Sequence, residues 1–240
     1  MIKERLRRSW NAQQATLGRH PSIYLPFARR RYGRDRAYSK GCEIVIEGFP
    51  RSANSFSVNA FELAQDRPVQ IAHHVHAPAQ VLAAVSDGVP AIVLARRPKD
   101  AVLSLLLWHP HLRVRDAVRS YDAFYRPLLP HTDGFVVGEF SQVTGDFGSV
   151  IRRVNERFGC DFAEFESTPE NLAACFDTIE ANSRRQRGGV LLERVVARPS
   201  QERQALKQAL SGQYDAQIAP RRRAELDDLY ETFRRLSEGE

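Results

Sequence analysis

The residues with the clearest chemical potential are Gly48-Phe-Pro-Arg-Ser-Ala-Asn-Ser-Phe56, which follow an apolar run ending at Glu47 and lead into a stretch of helical character. A strand that ends at a glycine and turns into a helix presents backbone N–H groups at the positive end of that helix, a site for a phosphate or sulfate oxyanion. Arg51 adds a full charge, and Ser52, Asn54 and Ser55 add short donors that also suit a helix start. The spacing mimics Gly-x-x-x-x-Gly-Lys-Ser/Thr. Ala53 and Asn54, however, stand where that loop has its second Gly and its Lys, which disfavours a nucleotide triphosphatase. On its own the turn is also readable, as the lesser alternative, as a helix start with an incidental arginine.

A second constellation strengthens the first. In Ile92-Val-Leu-Ala-Arg96-Arg-Pro-Lys-Asp100-Ala-Val-Leu-Ser104, Arg96 ends a buried strand and Ser104 falls in the helix after it. Both are thereby expected at the carboxyl edge of a parallel sheet, where open α/β folds bind ligands. An aspartate there would suggest a magnesium site, whereas an arginine suggests a second phosphate held without metal. Between the two motifs lie His73, His74 and His76. An imidazole is an effective general base near neutral pH. His76, before Ala77-Pro78, is the first choice; His73 and His74 remain alternatives, and the carboxylates Glu62 and Asp66 come next. No acidic or cysteine ligand accompanies the three histidines, so no metal is expected.

These residues need a scaffold. Short apolar runs at Cys42–Glu47, Val69–Ala72, Pro90–Ala95 and Gly134–Gly138 alternate with segments of helical character at 55–65, 78–85, 99–107, 116–129 and 151–158. Such alternation is the signature of βαβ units around a parallel sheet, hence an α/β fold. Helices are also expected at 169–182, 200–211 and 220–237, with a loop from Arg184 to Pro199. Tyr121, Phe124 and Tyr125 either line an acceptor pocket or, as their spacing favours, pack the core. Residues 41–240 read as one domain. The 240 residues, 42% hydrophobic and 27% charged, suffice for a single core and exclude a disordered or collagen-like chain.

Residues 1–40 carry eleven Lys or Arg against Glu4 and Asp35, so the net charge of +6 originates there. A segment of this kind suits nucleic acid, an anionic membrane surface or a polyanionic substrate, or is a solvated arm with incidental charge. No apolar run reaches the roughly 18 to 20 residues that span a bilayer, and the first residues lack a signal-peptide core; a soluble, cytoplasmic protein is expected. Cys42, Cys160 and Cys175 match no zinc spacing and are expected to be reduced and structural.

Taken together, the motifs resemble a family. Gly48–Phe56 is similar to the 5′-phosphosulfate loop of bacterial-type sulfotransferases that use 3′-phosphoadenosine 5′-phosphosulfate (PAPS), and Arg96–Ser104 to their 3′-phosphate motif, with Arg and Ser eight apart. His74-Val-His76-Ala-Pro78 resembles the Lys-Thr-His-Leu-Pro segment that carries the general base in one branch. The resemblance implies a P-loop NTPase-like sulfotransferase fold, PAPS as donor without metal, and sulfuryl transfer to a hydroxyl or amine acceptor of small-molecule, glycan or lipid type. It implies catalytic roles for His76 and Arg51. Donor contacts are implied for Pro50, Arg51, Ser52, Ala53, Asn54, Ser55, Phe56, Arg96 and Ser104. Arg185, Arg187 and Gly188, within Arg184-Arg-Gln-Arg-Gly-Gly189, stand for the family's Arg-Lys-Gly loop or for an exposed basic loop. The chain departs from the family in having Arg51 for the usual Lys, Ala53-Asn-Ser-Phe56 for Gly-Thr-Thr-Trp, and no downstream Gly-x-Trp-Lys. Two rivals remain. A small-molecule kinase lacks its triphosphate-clamping Lys and magnesium ligand here, and a nucleic-acid-binding module lacks any visible recognition helix, zinc finger or RNA-binding aromatic pattern, so no nucleic-acid partner is expected. Peripheral membrane contact through residues 1–40 is an open expectation.

Overall fold

A computed structural model describes residues 17–185, 188–190 and 201–239. In chain order the elements are α1 (Pro21–Tyr32), β1 (Ile44–Gly48), α2 (Asn54–Ala64), β2 (Ile71–His73), α3 (Pro78–Asp87), β3 (Ala91–Ala95), α4 (Pro98–Trp108) and α5 (Val114–Tyr125). A 3-10 segment (Arg126–Gly134) leads to β4 (Val136–Glu139), α6 (Phe140–Gly145), α7 (Phe147–Phe158), α8 (Pro169–Arg185), α9 (Gln201–Gln217) and α10 (Pro220–Glu238). The four strands form one wholly parallel sheet in the order β2-β1-β3-β4. The α/β expectation is met, with strands displaced by no more than two residues at either end.

The alternation along each strand builds two apolar layers. Val45, Val93 and Val137 face a core shared with α1, α3, α4, α5, α9 and α10. Ile44, Ile46, Ile92, Leu94 and Val136 face the opposite core, closed by α2, α7 and α8. Burial on both faces explains why β1 and β3 read as unbroken apolar runs and not as alternating ones.

The structure corrects several sequence expectations. Residues 21–38 are not a solvated arm: α1 buries Tyr24, Leu25 and Ala28, and Ala37 and Tyr38 join the same core. That helix escaped detection because Pro21, Pro26 and three consecutive arginines obscure its apolar positions. The 116–129 helix ends at Tyr125, because Pro127 and Pro130 break the α-helical ladder and impose the 3-10 segment. Helix α7 begins at Phe147, four residues early, where the Asp146 carboxylate accepts the Ser149 amide as an N-cap.

The sheet crosses closely at Gly48. A Cβ there would lie 2.7 Å from both the Cβ and the carbonyl oxygen of Leu94, so β1 and β3 meet at a distance only glycine permits. Gly48→Ala is therefore expected to lower stability by about 1 to 3 kcal/mol in urea titration. Gly212→Ala, in open space within α9, is expected to raise it by about 0.5 to 1 kcal/mol.

Candidate functional site

β1 passes its chain to α2 on one face of the sheet, and β3 passes its chain to α4 on the other. The two connections diverge and leave a crevice at the carboxyl ends of β1 and β3, the topological switch point of the sheet. The turn leaving β1 is held from within: the Ser52 amide donates to the Phe49 carbonyl at 3.2 Å, and Asn54 Nδ2 donates to the same oxygen at 3.0 Å. Arg51 and Ala53 adopt positive φ, 74° and 68°, and no side chain caps the start of α2. Asn54 Oδ1 is buried without a hydrogen-bond partner. Pro50 lies half-buried in this turn. The Ser52 hydroxyl points inward, 3.4 Å from the Tyr125 hydroxyl, and the Phe56 ring packs edge-on against Phe165. These two residues therefore offer the crevice their backbone and not their side chains.

Arg51 crosses the crevice. Its Nε donates to Ser104 Oγ at 3.1 Å and its guanidinium lies 5.1 Å over the Trp108 ring. Arg96 crosses in the opposite direction, donating from Nη1 to the Arg51 carbonyl at 2.7 Å while stacking 3.7 Å over the Phe140 ring. The residues proposed from two separate motifs are thus joined in one network. Behind them, the Tyr121 hydroxyl donates to the Arg96 carbonyl and the Tyr125 hydroxyl to the Leu94 carbonyl, both at 2.7 Å. The aromatic residues of α5 are core residues that steady the end of β3.

Beyond Arg96 a cleft of about 640 Å³ opens at the carboxyl ends of β3 and β4, lined by Arg97, Phe140, Gln204, Lys207 and Tyr230 among others. Burial pushes the Arg96 guanidinium down to about 10, against the opposing charge of Asp100, which outweighs the repulsion from Arg203. Burial and the charges of Arg96, Arg203 and Arg51 push the Lys207 amine down to about 8. Cations withdrawn from water in this way gain from the approach of an anion, which offsets the cost of burying their charge. Phe140, Arg203 and Lys207 were not foreseen. Nothing local in the sequence signals that α9, a hundred residues downstream, returns its cations to Arg96.

On the other flank lies Glu47, fully buried at the end of β1. Its Oε2 accepts the amides of Val75 (2.9 Å) and His76 (3.0 Å) and Gln80 Nε2 (2.8 Å), and its Oε1 accepts the Gly48 amide at 3.1 Å. His76 Nδ1 stands 3.3 Å from Glu47 Oε1 and 2.9 Å from the Gly48 carbonyl. Both partners accept only, so Nδ1 carries the proton and Nε2 keeps its lone pair. Burial works against the charged imidazole, but the hydrogen bond and negative charge of Glu47 outweigh it and hold the pKa above the ordinary histidine value. Burial likewise opposes the Glu47 carboxylate, and the hydrogen bond and charge of His76, with the Gln80 and Val75 donors, bring it below the ordinary value. His74 is differently placed: its Nε2 meets Ser55 Oγ at 3.1 Å and its Nδ1 meets His73 Nδ1 at 2.6 Å. Burial drives the His73 pKa down to about 4 and that of His74 well below its ordinary value, so both are neutral braces. The signal for Glu47 was available in the sequence: a charge inside an apolar strand must find a partner.

The remaining expected contacts stand apart. Arg185 ends α8 exposed, bonded to Asn182, and Gly188 sits in the following turn with φ 63°. Arg187 lies outside the described residues. The expected loop from Arg184 thus begins with a helix end. Cys42, Cys160 and Cys175 are free thiols. Among the described residues, no group of three His, Cys, Asp or Glu side chains is placed to hold a metal ion, and no helix is long and apolar enough to cross a membrane.

No family model and no curated protein matches the chain. Among solved structures it is similar to mouse sulfotransferase SULT7A1 complexed with PAP, at 13% identity and a TM-score of 0.47, over 83% of this chain and 88% of that one. A likeness at this level carries no residue roles, which rest on the geometry of this chain.

The Glu47–His76 pair has opposite pH limits. The depressed Glu47 contributes stability above its unfolded pKa of about 4.3 and loses it as pH falls through the folded value; the raised His76 contributes below about 6.5 and loses it as pH rises through the folded value. Glu47→Gln is expected to lower stability by about 3 kcal/mol between those pH values, with the gap to the unmutated protein narrowing on either side. Denaturant titrations across pH measure it.

Proposed function

We propose that the protein is a sulfotransferase that takes its sulfuryl group from PAPS and passes it to a hydroxyl or amine acceptor. One observation carries the reading. The anion-binding turn with Arg51 lies on β1, between an oriented imidazole on the β2 flank and a cationic cleft on the β3–β4 flank. Group transfer needs that order, because acceptor and leaving group must approach the transferred group from opposite sides.

The donor set suits the donor chemistry. A cleft of about 640 Å³ falls within the roughly 300 to 1,000 Å³ of small-molecule sites, and its cations Arg96, Arg97, Lys207 and Arg234 outnumber the carboxylates Asp100, Glu139 and Glu238. When bound, PAPS supplies the sulfuryl group and an adenosine 3′,5′-bisphosphate leaving group. Arg96, Ser104 and Lys207 hold the bisphosphate, while Arg51 and the amides at the start of α2 offset charge on the transferred group. Arg51 keeps the charge of the family's usual Lys and adds a fork already aligned by Ser104 and Trp108. His76 Nε2 takes the acceptor proton, and Glu47 stabilises the imidazolium that results.

Calorimetry tests the donor assignment. Adenosine 3′,5′-bisphosphate is expected to bind without divalent metal and more tightly than AMP. Lys207→Ala should weaken it about ten-fold or more, as expected of a charge-assisted contact. Because the anion favours the protonated amine, affinity should fall as pH rises past about 8. Tighter binding of magnesium ATP than of the bisphosphate would overturn the reading in favour of a small-molecule kinase.

Turnover tests the catalytic residues. His76→Ala is expected to slow sulfuryl transfer about 10²- to 10⁴-fold with bisphosphate affinity unchanged. Arg51→Ala should lower kcat more than nucleotide affinity, and Arg51→Lys should retain part of the rate. The rate should rise with pH through an inflection above the ordinary histidine value of about 6.5, and Glu47→Gln should move that inflection down. A flat profile, or a His76→Ala variant at full rate, removes His76 from the role.

A further inference from the structure

Between residues 17 and 34 the chain carries Arg19, Arg29, Arg30, Arg31 and Arg34 and no carboxylate. Helix α1 turns Tyr24, Leu25 and Ala28 into the core, while Ile23 and Phe27, four residues apart and hence on one face, stay 59% and 45% exposed. Pro26, Arg30 and Arg34 are exposed as well. Arg29 is tied inward, donating from Nε to the Tyr38 carbonyl at 2.8 Å, and Arg31 lies 6.0 Å from the Tyr32 ring. A large apolar pair surrounded by arginines is not a core face, and it is more apolar than a nucleic-acid face requires.

We infer that this face of α1 attaches the protein to an anionic lipid bilayer. Ile23 and Phe27 enter the boundary between headgroups and acyl chains, and Arg30, Arg34 and Arg19 meet the phosphates. The complementarity is of both kinds at once: apolar side chains for acyl chains, arginines for lipid phosphate. Asp35, beside Arg34, and Asp87, which accepts from the Tyr38 hydroxyl at 2.8 Å, are the nearest acidic groups on the segment and on the helix packed beneath it. The attachment bears on the site through chain connection: the Gly18 carbonyl accepts the Ala79 amide at 2.7 Å, and Ala79 lies in the first turn of α3, three residues after His76. The segment that carries the bilayer face thus contacts the helix that follows His76.

The test uses the full chain and vesicles of phosphatidylcholine, with or without phosphatidylglycerol, in co-sedimentation. Binding is expected only to the anionic vesicles, and should weaken as salt is raised. The double variant Ile23→Ser/Phe27→Ser and the double variant Arg30→Glu/Arg34→Glu should each bind at least ten-fold more weakly, with unchanged circular dichroism and melting temperature because the substituted side chains face solvent. Bisphosphate affinity should not change in either variant, which separates this inference from the sulfuryl-transfer reading. The inference is overturned if anionic vesicles fail to bind, or if both double variants bind as the unmutated chain does. Binding that depends on the arginines but not on Ile23 and Phe27, with equal affinity for heparin or duplex DNA, would also overturn it, by making the face a general polyanion site.

Discussion

The structure turns on one buried carboxylate. Glu47 has no exposure to water, and a charge so placed is tolerable only when every oxygen lone pair is met. It is met by three backbone amides, the Gln80 amide and the His76 ring. These donors come from three different parts of the fold. The Gly48 amide opens the turn after β1, the amides of Val75 and His76 shape the segment after β2, and Gln80 lies in α3. Gln80 in turn accepts the Tyr38 amide at 2.5 Å, which ties the basic N-terminal segment into the same network. A single charge therefore fixes the end of β1, the His76 ring, and the wall behind them relative to one another.

Strand order converts that local anchor into a direction. With β1 and β3 adjacent and their helices leaving on opposite faces, the crevice falls between them, and β2 and β4 become its two flanks. Arg51 and Arg96 each reach across the crevice, one by its side chain to Ser104 and the other to a backbone carbonyl. Guanidiniums suit this because they hold several hydrogen bonds in a fixed plane while remaining charged. The same planarity lets Phe140 and Trp108 support them from behind. An ammonium would keep the charge and lose the bracing.

Legibility in the sequence followed the range of the interactions. β1, β3 and the turn at Gly48 could be read because their determinants are local: an apolar run, a glycine, then short polar residues. Arg96 and Ser104 could be read because a short strand-to-helix turn and the first two turns of α4 set their separation. The histidines could be read as a group but not told apart, since the distinction lies in partners. Ser55 and His73 engage both nitrogens of His74, whereas His76 keeps Nε2 open. Lys207 was illegible because its role depends on α9 packing against α4, a contact without sequence periodicity to reveal it. Helix α1 was illegible for a different reason: its buried face is narrow, and Ile23 and Phe27 on the outer face blur the apolar stripe.

Backbone strain marks the same two segments. The non-glycine residues with positive φ among the described residues are Arg51, Ala53, His74 and His76, all in the turn after β1 and the segment after β2. Left-handed backbone costs an L-residue on the order of 1 to 2 kcal/mol, and such conformations persist only where surrounding contacts over-determine them. Those contacts are visible for three of the four. Arg51 is held by Ser104 and by Arg96 at its carbonyl, His74 by Ser55 and His73, and His76 by Glu47 at both its amide and its ring. Ala53 has the weakest case, its carbonyl accepting the Ser57 amide and hydroxyl in the ordinary manner of a helix start. Glycine would adopt its conformation without strain, but would add flexibility at the point where the α2 amides face the crevice. A methyl group at that position narrows the conformations open to the turn, so the amides and Arg51 are held in one arrangement. Strain concentrated on both sides of the crevice, and absent from the rest of the described chain's non-glycine residues, is the cost of holding two loops rigid against each other, which preorganised charge stabilisation requires.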